Sequence, residues 1–155
     1  MFLGLALIAV AGQSAGADSV GADPAQTQAA AKNIPPSQDK MWPLLRHTRI
    51  DLDFKHGVYT ATHPPEVQAL VGKTVTVQGF VLPYKAETEF RHFLLTPYSP
   101  GCPFCPPANP NEIIDVTVGR PIKAEERQFV VTGKFATQNN GKDGLFFRLD
   151  DATAE

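Results

Sequence analysis

The chain has 155 residues and a net charge of −2, enough for one domain and short for two. Lys and Arg do not cluster, so nothing favours a nucleic acid or an anionic membrane surface as a partner. Fourteen prolines and twelve glycines suit short strands separated by turns.

The first residues form an apolar run from Met1 to Gly12. It is too short to span a bilayer, which takes roughly 20 residues, but it matches the apolar core of a signal peptide. Ala15-Gly16-Ala17 follows as an A-x-A cleavage site. Residues 1–17 are therefore expected to be a signal peptide, and Asp18 the mature N-terminus. The expectation is a periplasmic protein whose mature chain is not inserted in the membrane. One feature departs from the pattern, because no Lys or Arg precedes the run. The alternative is a buried first helix, which the Gly- and Ser-rich end of the run leaves with little to pack against. No Cys stands at the cleavage site, so a lipoprotein anchor is not supported. Residues 18–40 carry almost no large apolar side chain. They cannot bury enough surface to offset their ordering entropy, and are expected to be a disordered linker.

The folded part is expected over 41–152. A short helix should fill 64–72, with Pro at its start, Gly at its end and His63 or Thr62 as cap. Five strands are expected: 73–82 (KTVTVQGFVL), 90–96 (FRHFLLT), 112–118 (EIIDVTV), 128–135 (QFVVTGKF) and 145–150 (LFFRLD). Gly79 interrupts the alternation of the first, where a bulge or sharp bend would sit. Residues 121–127 read as a second helical turn. Residues 139–144 (NNGKDG) are a strong turn signal. Trp42, with Pro43-Leu44-Leu45, is expected to pack across one end of the sheet structure. Five short antiparallel strands with glycines in the first and fourth predict a mainly β fold, a small five-stranded OB-like barrel with one or two short helices. The competing architecture is a small β-sandwich.

The most specific local feature is Cys102-Pro103-Phe104-Cys105-Pro106-Pro107, followed by Asn109-Pro110-Asn111. It holds both cysteines of the chain, in C-x-x-C spacing, between the second and third strands. Three readings compete. A thioredoxin-type redox site places its first Cys at a helix N-terminus. Pro106 and Pro107 bias this segment to be extended, and the βαβ surroundings are absent. A structural disulfide suits an exported protein, although so short a loop gains little entropically. A metal site suits the spacing, but tetrahedral zinc wants four ligands. The missing two would come from His47, His56, His63 or His92, or from a second copy. Each histidine has a plainer reading. His92 sits mid-strand between Phe90 and Leu94, His63 caps the helix, and His47 and His56 flank the solvated pair Asp51 and Asp53. No nucleophile elbow, P-loop or HExxH is present. The carboxylate pairs Asp150-Asp151 and Glu125-Glu126 fall at expected element ends and read as solvated.

The run Ala69-Leu70-Val71-Gly72-Lys73-Thr74-Val75, then Gly79-Phe80-Val81-Leu82-Pro83, then His92-Phe93-Leu94-Leu95, the Cys-Pro-Phe-Cys-Pro-Pro loop and Asn109-Pro110-Asn111-Glu112 resembles an uncharacterised family of exported bacterial proteins. Gly133 and Leu145-Phe146-Phe147-Arg148-Leu149 fit it as well. Many members of that family have a single Cys followed by a His and a proline run, so Cys105 departs from the pattern. Members are often encoded beside ABC-transporter components linked to metal, especially zinc, homeostasis. The resemblance implies a non-enzymatic periplasmic accessory protein with ABC-transporter components or another periplasmic protein as partner. Cys102 and Cys105 would be metal ligands or a redox clip, with His92 and His63 as further candidate ligands and zinc as the candidate cofactor. Two other functions fit the same residues: an interaction module stiffened by a structural disulfide, and a thiol–disulfide oxidoreductase outside the thioredoxin fold.

Overall fold

The computed structural model describes residues 34–101, 108–123, 125–141 and 143–155. In chain order these form α1 (Met41–Leu45), β1 (Arg49–Asp53), β2 (Val58–Thr62), α2 (Pro65–Gln68), β3 (Thr74–Pro83), β4 (Glu89–Thr96), a 3₁₀ turn (Pro110–Glu112), β5 (Ile114–Lys123), β6 (Gln128–Thr137), β7 (Asn140–Gly141) and β8 (Phe147–Ala154).

Alternation of inward and outward side chains builds most of the barrel. In β5, Ile114, Val116 and Val118 are buried while Asp115 and Thr117 point outward. In β6, Phe129, Val131, Gly133 and Phe135 take the inner face. The strands close in the order β3-β4-β5-β8-β6. Counted along the barrel this is first, second, third, fifth, fourth, the order of an OB-type barrel. β5 and β8 run parallel, against the expectation of antiparallel strands throughout. A closed ring of five strands cannot alternate direction all the way round, so one pair has to be parallel. The interior is filled by Val77, Phe93, Leu95, Ile114, Val116, Val131, Phe135, Phe147 and Leu149, each fully buried. Burying such side chains stabilises by roughly 1.5–3 kcal/mol apiece.

β4 covers only Phe80–Pro83 of β3. Nearer the start of β3, the backbone groups of Gln78 on that edge need other partners. The chain before the barrel supplies them. The Gln78 carbonyl accepts from Ser37 Oγ at 2.6 Å and from Trp42 Nε1 at 2.8 Å, and the Gln78 N–H donates to Asp39 Oδ2 at 2.9 Å. Ser37 N–H also donates to the Pro97 carbonyl at 2.8 Å. The folded body thus includes residues 35–40, which composition alone assigned to the linker. Hydrogen bonding to an unfilled strand edge holds them, not apolar burial. Asp39 Oδ1 then accepts Met41 N–H at 2.8 Å, starting α1.

Trp42 is buried against the barrel, as expected. It also explains Gly79. A Cβ there would lie 2.7 Å from the Thr96 carbonyl oxygen and 2.8 Å from Trp42 Cζ2. Gly133 has a different reason. It sits where the β6–β8 register shifts, and its Cβ would lie 2.8 Å from that of Ala152. Across that shift Asp151 adopts φ of 50°, a left-handed conformation that Asp tolerates better than most residues.

Three features differ from the sequence reading. Residues 121–123 continue β5 instead of forming a helical turn, because Ile122 and Lys123 pair with Phe90 and Glu89 of β4. β1, β2 and β7 form a separate three-stranded sheet. Its charged first strand alternates Arg49, Asp51 and Asp53 outward with half-buried Ile50 and Leu52. A register irregularity between Phe90 and His92 turns Phe90 inward and leaves His92 outside, so the two do not share a face.

Gly79→Ala should lower unfolding stability by about 1–3 kcal/mol through overpacking. Gly119→Ala, where a Cβ meets nothing within 4 Å, is the control and should change it much less. Urea titrations of both variants check this.

Candidate functional site

The cysteine-bearing loop leaves β4 and returns at β5. Cys102 and Cys105 lie outside the described residues. Its two roots are described, and a single buried carboxylate joins them. Glu112 is 3% exposed. Its Oε1 accepts from Arg46 Nε at 2.6 Å and from the Tyr98 hydroxyl at 3.2 Å. Its Oε2 accepts from the Asn109 backbone N–H at 3.1 Å and from Asn109 Nδ2 at 2.8 Å. Tyr98 stands just before the loop and Asn109 just after it.

The local sequence builds this clamp. Asn109-Pro110-Asn111-Glu112 places Pro at the first position of a short turn and an acid three residues after Asn. Glu112 therefore reaches back to the Asn109 N–H, as in a capping box. Asn111 Nδ2 adds bonds to the carbonyls of Arg46 and Thr48, at 3.2 and 3.1 Å. Burial alone would push the Glu112 carboxyl up. The Arg46 side chain and the two Asn109 donors outweigh it and hold the carboxyl below its ordinary value. Beside Tyr98, the buried Ser99 hydroxyl makes no hydrogen bond with any described residue.

The histidines are spread over the molecule. His63 does not cap α2, whose N-cap is Pro64 with no side-chain bond. It is buried instead, 5.5 Å from the Phe147 ring. Its Nε2 lies 3.0 Å from the Gln138 carbonyl and its Nδ1 3.3 Å from Thr48 Oγ1. A carbonyl only accepts, so Nε2 carries the proton. Both ring nitrogens are engaged, and a metal there would have to displace a protein partner. His92 lies on the outer face of β4, where its Nε2 donates to Asp115 Oδ1 at 2.6 Å. His47 pairs with Glu66 at 3.3 Å and His56 with Asp53 at 2.6 Å, both at the surface. Among the described residues no three His, Cys, Asp or Glu side chains are grouped to hold a metal ion. His63 and His92 thus belong to no common ligand set there. A groove of about 760 Å3 between Gly119–Ile122 and Asp151–Glu155 is lined by neither cysteine nor histidine.

Arg46, Tyr98 and Glu112 were not singled out as site residues from the sequence. The N-x-x-E spacing was the available signal for Glu112. No local pattern announces Arg46, which lies 66 residues away.

Glu112→Gln should cost about 1–3 kcal/mol at neutral pH, the worth of hydrogen bonds to a charged group. The folded carboxyl titrates below its unfolded value, so its contribution is present above the unfolded value. It is lost as pH falls through the folded one. The gap between wild type and Glu112→Gln should therefore close on acidification below the ordinary carboxylate range. Urea titrations at neutral and acidic pH read this out.

No curated protein matches the chain. The solved structure of a DUF3299 family protein from Pseudomonas aeruginosa PAO1 is 24% identical, over 61% of this chain and 67% of that one, with a TM-score of 0.47. The family model described as a protein of unknown function (DUF3299) matches residues 24–145, most of the barrel and its N-terminal strap, and the chain belongs to that family.

Proposed function

We propose that this is an exported, non-enzymatic accessory protein of metal supply, working with a transporter or a metal-homeostasis system, in which the Cys102–Cys105 loop is the working element. The observation that carries this reading is the Glu112 clamp. A buried carboxylate is costly unless fully satisfied, and here it ties together the two roots of the loop that holds both thiols. Fixed roots restrict where the thiols can go and lower the entropic cost of organising them around an ion.

Reduced, the two thiolates suit a soft or borderline cation such as Cu(I) or zinc. Two thiolates alone serve a low-coordinate Cu(I). Zinc needs two further ligands, which a second copy or a partner protein would bring. In exchange with an external disulfide the two thiols form a Cys102–Cys105 bridge, and the external disulfide leaves as two thiols. The bridge abolishes metal binding and makes the loop a redox clip. The apolar run and A-x-A site at residues 1–17 support export to a compartment where that exchange operates.

Native and denaturing mass spectrometry of the protein purified from the periplasm, with thiol alkylation, tests this. The expected result is alkylatable thiols with a bound metal, and loss of that metal in Cys102→Ser. A mass lower by two hydrogens, with no metal taken up even after reduction, would overturn it in favour of an interaction module with a structural disulfide.

A further inference from the structure

The outer face of β4 and β5 carries a second cluster that neither the core nor the cysteine loop uses. Asp115 Oδ1 accepts two bonds, from the Tyr84 hydroxyl at 3.0 Å and from His92 Nε2 at 2.6 Å. The two rings lie 4.6 Å apart at 37°, a close aromatic contact. Tyr84 is 46% exposed, and the His92 side chain 55%. One carboxylate oxygen thus orders two rings into a platform that faces solvent. Folding does not call for this arrangement. The neighbouring residues Phe93, Ile114 and Val116 supply the core, while Asp115 and His92 point away from it.

Beside the platform lies a hollow of about 230 Å3 lined by Tyr84, Lys85, Glu87, Phe90, Arg91 and His92. That is below the roughly 300–1,000 Å3 of sites for drug-sized ligands, so it takes one ring-sized unit. Its charges are mixed: Lys85 and Arg91 share the lining with Glu87, and the carboxylates of Asp115 and Asp143 act on Tyr84. A phosphate backbone needs a net positive track, which is missing among these residues. The polar atoms suit hydroxyl groups instead. Burial first, and then Asp115, push the Tyr84 phenol well above its usual pKa, so it stays a donor to Asp115. Its oxygen keeps lone pairs for an incoming hydroxyl. His92 Nε2 is committed to Asp115 and Arg91 Nη1 to the Gly119 carbonyl, so Lys85 and the remaining N–H groups of Arg91 add donors.

The geometry points to a saccharide subsite at Tyr84, His92 and Asp115, holding one neutral pyranose unit of a glycan with its C–H face on the aromatic platform. β4 and β5 are the second and third barrel strands, the face on which OB-type barrels hold oligosaccharides and oligonucleotides. That precedent is one of fold; the ordered rings and the lack of a net positive charge among these residues carry the choice of ligand. The inference is independent of the cysteine loop.

An amide NMR titration of the intact protein with chitotetraose and, separately, maltohexaose tests it. At least one sugar should shift the amides of Tyr84, His92 and Asp115. Tyr84→Ala should weaken that binding at least tenfold, and Tyr84→Phe, which keeps the ring, severalfold. Should Tyr84→Ala unfold, His92→Ala takes its place with the same expectation. Cys102→Ser should leave the binding unchanged, which separates this site from the metal reading. Three outcomes would overturn the inference: no shift at these amides with either sugar at millimolar concentration, shifts confined to another face, or shifts there with oligothymidylate and not with sugar.

Discussion

The Glu112 carboxylate holds together segments that the barrel alone would leave apart. A charge taken out of water costs several kcal/mol unless its oxygens are filled. Arg46 at the end of α1, Tyr98 after β4 and Asn109 before β5 fill them. One carboxylate therefore fixes where the N-terminal helix ends, where the second barrel strand lets go of the sheet and where the third begins. Asn111 reinforces the joint by donating to the backbone that leads from α1 into β1. The segment that holds both cysteines runs between two ends that this carboxylate joins.

The barrel has its own unfinished edge, and the same N-terminal region completes it. β4 is too short to cover the first half of β3, and Ser37, Asp39 and Trp42 take the place of the missing strand at Gln78. The indole then occupies the space over Gly79. Residues 35–46 thus do two jobs. They satisfy a strand edge that would otherwise be open to other chains, and they carry Arg46 to Glu112. The outward face of β4 and β5 is freer. The Tyr84–His92–Asp115 cluster can vary without disturbing the core, because alternation separates the two faces of each strand.

Much of the barrel was legible because period-2 alternation is a local property. The cores of all five strands and the burial of Trp42 could be read from neighbouring residues. Errors arose where pairing overrode local preference. Residues 121–123 carry Pro and a charged neighbourhood and read as a helical turn, yet β4 captures them as strand. β1 reads as a charged solvated stretch, and becomes strand only because β2 lies beside it. The irregularity at Arg91 reverses the side on which Phe90 falls relative to His92, and nothing in FRHFLLT marks it. The candidate site divides in the same way. The C-x-x-C spacing and the Asn109–Glu112 spacing are visible in the chain, whereas Arg46 and Tyr98 meet Glu112 only through the fold. His63 read as a cap and became a buried side chain with both nitrogens engaged, because Thr48 and the Gln138 carbonyl are distant in sequence.

By itself, then, the sequence determined the strand cores, the inward residues that fill the barrel, and the grouping of both cysteines on one proline-rich loop. These follow from side-chain alternation, steric preferences and spacing, which act over a few residues. The tertiary structure alone decided the parallel β5–β8 pair, the strap over the β3 edge, the clamp on Glu112 and the joining of Tyr84 and His92 by Asp115. Each of these depends on contacts between segments tens of residues apart, which only the assembled fold brings together.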